Sequence, residues 1–276
     1  MTVPAGYPPE RHVLRDLLVE IEHREDGTSL GRLPVTRGVL AGGAVSSGAV
    51  ATLVDVIGGG LAADAARPDW IATADLTLHR VGPVRSGAVE ARGRVARKGR
   101  SSVVVDVELA DGSGPDAPTL GMATMSFSVL PRREENVELP PRAPGRVSMA
   151  GPGSGLDVGL EEAIGLRVVD GDRGAVELPI DGYVVNSFGA LQGGVVATVA
   201  EVSARHLLRA ACGAPVDPAD LHLTYLALAR EGPVRTRAQV LAAGPTGGCA
   251  RVEVLDTGLD DRLVALARVV ATGGLR

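Results

Sequence analysis

Aromatic and cysteine residues are scarce in this chain. Phe, Trp and Tyr together make up 2% of its 276 residues, which leaves few platforms on which the bases of single-stranded nucleic acid could stack. The two cysteines, Cys212 and Cys249, have neither a CxxC spacing nor a neighbouring pair of histidines. This pattern argues against a metal centre and is typical of a reducing compartment. We therefore expect a cytoplasmic protein that needs no metal ion or other cofactor.

The chain also lacks a concentration of charge of one sign. Its net charge is −5, and the basic residues are scattered along the sequence, so neither nucleic acid nor an anionic membrane surface is expected as a partner. The N-terminal residues contain no apolar run behind a basic start, which argues against a signal peptide. No G-x-S-x-G motif is present, which disfavours a serine hydrolase of the α/β class.

One long stretch, residues 38–66, has few charges and resembles a membrane span in composition. Small residues dominate it, and its only acidic residues are Asp55 and Asp64. Because a carboxylate inside the bilayer is costly, a helix buried within a wrapped sheet explains this composition better than a membrane helix does.

The most informative feature of the sequence is an internal repeat. Residues 48–55 (GAVATLVD) match residues 194–201 (GVVATVAE) at an offset of 146 residues. Three further blocks follow the same order, namely 33–35 with 178–180, 74–78 with 219–223, and 82–85 with 232–235. A repeat of this length indicates two fused copies of one domain rather than a solenoid.

The apolar pattern divides the chain into two similar halves. We predict domain 1 at 1–130, a linker at 131–155 that is rich in Pro, Gly and charge, and domain 2 at 156–276. Each half begins with a strand pair, continues with one long helix, predicted at 47–65 and 193–211, and ends in a run of strands. One helix followed by consecutive strands indicates an α+β fold with antiparallel pairing.

The segment 186–201 resembles the PaaI-like acyl-CoA thioesterases of the hotdog-fold superfamily. That family carries N-x-x-G-x-x-H-G-G and an acidic residue nine positions after the His. Asn186, Gly189, Gly193 and Gly194 match this motif, whereas Gln192 replaces the His and Glu201 stands where Asp is usual. The resemblance implies a tandem hotdog, in which each copy wraps a long central helix in a curved antiparallel sheet.

The first copy resembles a different half of the same motif. It keeps the acid as Asp55 and a hydroxyl as Thr73, but Ser46, Ser47 and Gly48 stand where His-Gly-Gly belongs. In the family the site lies between two subunits. The resemblance therefore implies one composite site, built from Asn186, Gln192 and Gly193 of copy 2 with Asp55 and Thr73 of copy 1. The mirror site, with Glu201 opposite Ser46, Ser47 and Gly48, is expected to be weak or inactive.

The reaction implied by this resemblance is hydrolysis of an acyl-CoA thioester. Backbone N–H groups of Gly193 and Gly194 at the start of a helix would face the negative charge that develops on the carbonyl oxygen, and an amide of Asn186 or Gln192 would add a donor. Asp55 would act as general base or nucleophile, with Thr73 orienting the water. Lys98 and Arg100, in a predicted turn, would bind the CoA phosphates.

Several alternatives stay open at this stage. Most of these residues also have a structural interpretation: Asp55 as a capped helix-face carboxylate, Glu201 as a solvated or ion-paired residue, Asn in a turn, Gly for close packing, Thr as an ordinary strand residue, and Lys and Arg in an exposed turn. Because the segment departs from the motif, a non-catalytic acyl-CoA-binding or regulatory protein is the second hypothesis. A hotdog hydratase would need an Asp–His pair that is not found. The acyl group, the choice between CoA and a carrier protein, and further assembly into a homodimer of the tandem chain are not determined.

Overall fold

The computed structural model describes residues 7–114, 117–132 and 141–273. The described part of the N-terminal half has two α-helices and eight strands, which are α1 (Val13–Asp16), β1 (Glu20–His23), β2 (Ser29–Pro34), β3 (Leu40–Ala41), β4 (Ala44–Val45), α2 (Ser47–Ala66), β5 (Trp70–Arg80), β6 (Ala88–Lys98), β7 (Ser102–Ala110) and β8 (Thr119–Leu130). The remaining elements are β9 (Gly145–Ser148), α3 (Leu160–Ala163), β10 (Arg167–Asp170), β11 (Ala175–Leu178), α4 (Gly193–Cys212), β12 (Asp217–Tyr225), β13 (Val234–Gly244), β14 (Gly247–Asp256) and β15 (Arg262–Thr272).

Thirteen strands form one sheet in the order β10-β11-β13-β14-β15-β12-β5-β8-β7-β6-β2-β1-β9. The two halves meet where β5 pairs with β12 in antiparallel register, Leu78 opposite Leu221 and Leu76 opposite Leu223. Outward from this joint the strands of both halves follow the same order, so the halves are related by an approximate two-fold axis. With one long helix wrapped by antiparallel strands in each half, the predicted α+β tandem hotdog is confirmed.

The central helices α2 and α4 pack against each other through small residues. A Cβ on Gly48 would lie 2.8 Å from Thr198 Cα, and a Cβ on Gly194 would likewise collide with the backbone of Thr52. Thr52 and Thr198 donate their hydroxyls to Gly48 O and Gly194 O, each at 2.9 Å. Gly48 and Gly194 are therefore required for helix packing, and this explains the strongest block of the repeat.

Helix α2 carries the stretch that resembles a membrane span. The helix is long and apolar enough to cross a bilayer, but 67% of that window is buried inside the protein. Residues such as Leu53, Val54 and Ile57 have no exposed surface. Packing inside the wrapped sheet therefore accounts for the apolar composition of α2.

Part of the segment predicted as a linker has regular structure. Strand β9, within 131–155, pairs with β1, Glu20 opposite Ser148 and Ile21 opposite Val147. Residues 133–140 of the same segment lie outside the described residues. The division into domains at 130 and 156 stays a prediction.

Candidate active site

The start of α4 meets the middle of α2 at a carboxylate. Asp55 on α2 accepts a hydrogen bond from Gln192 Nε2 at 2.7 Å and another from Thr73 Oγ1 at 3.3 Å. The backbone N–H of Gly194 also donates to this carboxylate. A Cβ on Gly193 would lie only 2.9 Å from Asp55 Oδ2, so only glycine fits there without moving the acid. The structure thus brings together Asp55, Thr73, Gln192, Gly193 and Gly194.

Gln192, which replaces the histidine of the motif, makes two hydrogen bonds with its side-chain amide. It is the N-cap of α4, where its Oε1 accepts from the backbone N–H of Val195 at 3.0 Å. This fixes the amide so that Nε2 points to Asp55. Gln192 is 4% exposed. In this arrangement the amide holds and orients the acid, which motif reasoning alone did not indicate.

The environment of Asp55 disfavours its charged form. Burial raises the pKa of Asp55 from 3.8 to about 6, against the lowering effect of hydrogen bonds from Thr73 and the Gly194 N–H. A carboxylate with such a pKa is mostly ionised at pH 7 and still a useful proton acceptor. The shift therefore suits a general base better than a purely structural ion pair.

We expect the pH dependence of activity to follow this carboxylate. If Asp55 must be ionised to act, kcat/KM for thioester hydrolysis should rise roughly tenfold per pH unit below about 6 and level off above it. Initial rates of thiol release between pH 4.5 and 8, in buffers of constant ionic strength, measure this profile. A flat profile across pH 6 would contradict the role of Asp55 as base.

Asn186 lies in a turn that leads into the same site. Its Oδ1 accepts from the backbone N–H groups of Phe188 at 2.9 Å and Ala190 at 3.2 Å. The turn role that the sequence left open as an alternative is therefore present. Asn186 also lines the cavity described below. Because the turn uses its side-chain oxygen, its amide nitrogen can interact with a substrate.

An N-terminal segment holds this turn in place from the other half of the chain. His12, fully buried, accepts the Leu14 N–H on Nδ1 at 3.1 Å, so Nε2 carries the proton that it donates to Val185 O at 2.8 Å. Tyr183 donates its hydroxyl to Asp16 at 2.8 Å. Sequence reasoning did not foresee these contacts, because no repeat or motif includes residues 7–16.

A cavity of about 960 Å³ opens beside the acid. Thr73, Asn186 and Gly193 line it, and the remaining wall is mostly apolar, including Ile71, Leu130, Leu191, Val196, Leu226, Leu228 and Val264. Trp70, Phe188 and Tyr225, three of the six aromatic residues in the chain, also face it. Tyr225 donates its hydroxyl to Gly193 O at 2.9 Å. The scarce aromatic residues are thus concentrated at one site.

The mirror site is filled by arginines. Glu201 accepts the Gly48 N–H at 3.0 Å, as Asp55 accepts that of Gly194, but Arg205 also pairs with Glu201 at 3.3 Å. Arg80 donates to Ser47 Oγ at 2.8 Å. The cavity there measures about 20 Å³, room for about one water molecule.

The repeat explains how the two sites came to differ. Gly59 stands where Arg205 stands in the other half, and Tyr225 stands where Arg80 stands. The third mirror residue, Ser46, accepts the Ala49 N–H at 3.1 Å as the N-cap of α2. Burial raises the pKa of Glu201, although Arg205 opposes this shift. This site has no room for an acyl group.

Two arginines line the large cavity, and two further basic residues precede a strand that pairs with its wall. Lys98, the last residue of β6, and Arg100, in the turn that follows, are exposed. The next strand begins at Ser102, which pairs with Ser128 in the cavity wall. Arg132 and Arg230 line the cavity directly, and no motif or repeat pointed to them. Within residues 7–114, 117–132 and 141–273, no group of three or more His, Cys, Asp or Glu could hold a metal ion.

Known proteins share sequence features and the fold with this chain. The family model described as "Thioesterase superfamily" matches residues 42–117 and 188–261, once in each half. A search of curated proteins finds no match.

Solved structures resemble the whole chain. The tesB protein of Mycobacterium avium subspecies paratuberculosis has a TM-score of 0.62 at 14% identity, covering 91% of this chain and 95% of that one. An acyl-ACP thioesterase from Bacteroides thetaiotaomicron has a TM-score of 0.58 at 11% identity, covering 90% and 98%. A hot dog fold protein from Alicyclobacillus acidocaldarius has a TM-score of 0.58 at 13% identity, covering 95% and 97%. At these identities the likeness concerns the fold.

Proposed function

Because the chain belongs to the thioesterase superfamily, we propose that it hydrolyses acyl thioesters, acyl-CoA in the first place, at one composite site between its halves. The observation that carries the proposal is the carboxylate of Asp55, which is held by Gln192 and Thr73 next to a large apolar cavity. The apolar wall suits the acyl group, and the small cavity at Glu201 leaves no equivalent second site.

In the proposed reaction Asp55 removes a proton from a water molecule that Thr73 helps to orient. The water oxygen attacks the thioester carbonyl carbon, and negative charge builds on the carbonyl oxygen. Two donors stabilise this charge, the backbone N–H of Gly193 and the amide nitrogen of Asn186. Gly193 lies at the start of α4, where backbone donors have no intrahelical acceptor. The C–S bond then breaks, and the thiolate takes up the proton from Asp55, which regenerates the base.

The proposal extends to the thiol carrier and to assembly. Lys98 and Arg100, with Arg132 and Arg230 at the cavity, would bind the CoA phosphates. This favours the PaaI-like, acyl-CoA branch over a carrier protein. The free cysteines Cys212 and Cys249 support a cytoplasmic location. A homodimer of the tandem chain is the expected assembly, and light scattering at micromolar concentration measures it.

A panel of acyl-CoA and acyl carrier protein thioesters, followed by thiol release, tests this function. Asn186→Ala should remove most activity, whereas Glu201→Gln should leave kcat nearly unchanged. If Glu201→Gln is as damaging as a change at Asp55, both sites turn over substrate. If the wild-type protein binds acyl-CoA by calorimetry but never releases thiol above the buffer rate, the hypothesis of a non-catalytic acyl-CoA-binding protein is correct.

A further inference from the structure

The start of α4 is joined to β12 by a tyrosine. Tyr225, the last residue of β12, donates its hydroxyl to Gly193 O at 2.9 Å. Its ring lies on the same face of the strand as the fully buried Leu223, towards the inside of the wrapped sheet. Burial raises the pKa of the Tyr225 hydroxyl well above its usual value, and the charges of Asp55 and Asp75 raise it further. The hydroxyl therefore stays a donor over the whole pH range of the activity profile.

The carbonyl of Gly193 and the N–H of Gly194 belong to one peptide group. That N–H donates to the carboxylate of Asp55. One planar amide thus accepts a hydrogen bond from Tyr225 at its oxygen and donates one to the acid at its nitrogen. Hydrogen bonds in such a chain strengthen one another, because a donor at the carbonyl draws electron density from the nitrogen and makes the N–H a better donor. Tyr225 and Asp55 are therefore the two ends of one hydrogen-bonded chain.

The repeat provides an internal comparison. In the mirror site the peptide between Ser47 and Gly48 likewise donates its N–H to the acid, Glu201, at 3.0 Å. The strand residue in the position of Tyr225 is Arg80, whose guanidinium donates to Ser47 Oγ at 2.8 Å. The two halves therefore share the N–H bond to the acid and differ in the strand residue beside that peptide.

We propose that Tyr225 is a positioning residue for the base, and that it acts through the Gly193–Gly194 peptide by holding the Gly194 N–H on Asp55. This inference rests on the proposed function, because it takes Asp55 as the base. A stronger hydrogen bond to the charged form lowers the pKa of Asp55, against the raising effect of burial. Without the Tyr225 hydroxyl, the carboxylate should stay protonated up to a higher pH.

The other ionisable groups around this chain are unchanged when one hydroxyl is removed. Tyr7, from the N-terminal segment, has its pKa raised by burial and by the charge of Asp55, so it stays neutral over the same pH range. Asp75 on β5 acts on the same tyrosine, and Arg132 and Arg230 line the cavity. These groups contribute equally to both proteins in a comparison of wild type with a variant that lacks only the hydroxyl.

Tyr225→Phe removes the hydroxyl and keeps the ring. The midpoint of the rise in kcat/KM with pH should move up by about half a pH unit. kcat/KM should then be about threefold lower than that of wild type at pH 5 and within about twofold of it at pH 8. Arg80→Met, the matched change in the mirror half, should leave the midpoint in place. A loss of kcat/KM by the same factor at every pH would mean that the tyrosine is only structural, and the proposal would be overturned.

A titration that needs no turnover separates this inference from the proposed function. NMR of protein with isotope-labelled aspartate carboxyl groups follows the protonation of Asp55, whose signal is assigned by its absence in Asp55→Asn. The midpoint of that titration should rise by about half a pH unit in Tyr225→Phe. Tyr225→fluorotyrosine, which keeps the hydroxyl and makes it a stronger donor, should shift the midpoint in the opposite direction.

The two proposals then fail in different ways. If the midpoint of Asp55 moves as expected but no thioester is hydrolysed, the proposed function is wrong and the link through the peptide stands. If thiol is released and neither variant at Tyr225 moves the midpoint, the proposed function stands and the positioning role of Tyr225 is overturned.

Discussion

Replacing Asp55 with Asn is expected to lower kcat by about 10²–10⁴-fold while thioester affinity stays nearly unchanged. The amide keeps the size of the carboxylate and can still accept one hydrogen bond from Gln192, so the cavity and the turn at Asn186 remain in place. It cannot take a proton from water. Thiol release and calorimetric binding, measured on the same preparations, test the separation of the two effects. A loss of binding as large as the loss of turnover would instead mean that Asp55 shapes the pocket.

The same substitution should change stability with a defined pH dependence. Because the pKa of Asp55 is raised from 3.8 to about 6, the folded state holds its proton more tightly than the unfolded state. The stability that the protonated carboxyl contributes is present below about pH 4 and is lost as pH rises through 6. At pH 7 the loss amounts to at most about 3 kcal/mol. Asp55→Asn should therefore melt at a higher temperature than wild type at pH 7–8.

The gain in stability of Asp55→Asn over wild type should be partly offset, because one amide oxygen cannot accept from all the donors around Asp55. The gain should shrink towards zero below about pH 4. Thermal melts from pH 4 to pH 8 provide the comparison. If the difference in melting temperature between Asp55→Asn and wild type is the same at pH 4 and at pH 8, the carboxylate is well solvated and the argument from its pKa fails.

Removing Arg205 is expected to have the second large effect, and on stability instead of catalysis. Arg205 and Glu201 form a buried pair, with 6% and 2% of their side chains exposed, and Arg205 also binds Glu161. Arg205→Met leaves Glu201 buried without its cation, which typically costs about 3–5 kcal/mol. The free energy of unfolding from urea titration should fall by that amount, while kcat of the folded protein is retained because the composite site does not include Arg205.

A double variant and a control make this prediction specific. Arg205→Met with Glu201→Gln should recover much of the lost stability, since no uncompensated charge remains. The control is Arg209→Met, which removes a half-exposed pair with Asp217 and should cost less than about 1 kcal/mol. Should Arg205→Met lower kcat with little loss of stability, the mirror site would take part in turnover, contrary to its small cavity.

Repeat and composition together determined the architecture from the sequence alone. The helices predicted at 47–65 and 193–211 are observed at Ser47–Ala66 and Gly193–Cys212, because the apolar pattern and the N-terminal glycine turns that define them are local. The same holds for the antiparallel strands, whose composition and spacing repeat in both halves. The resemblance to a known motif then singled out Asp55, Gln192 and Gly193, which lie together in the structure.

Tertiary structure alone decided what the individual side chains do. The bond between Gln192 and Asp55 joins residues 137 positions apart, and no local pattern specifies such a contact. The same is true of the arginines around Glu201 and of the N-terminal segment behind Asn186. Hydrogen-bond partners and cavity volume depend on how distant segments pack, whereas periodicity records only which face of each element is apolar.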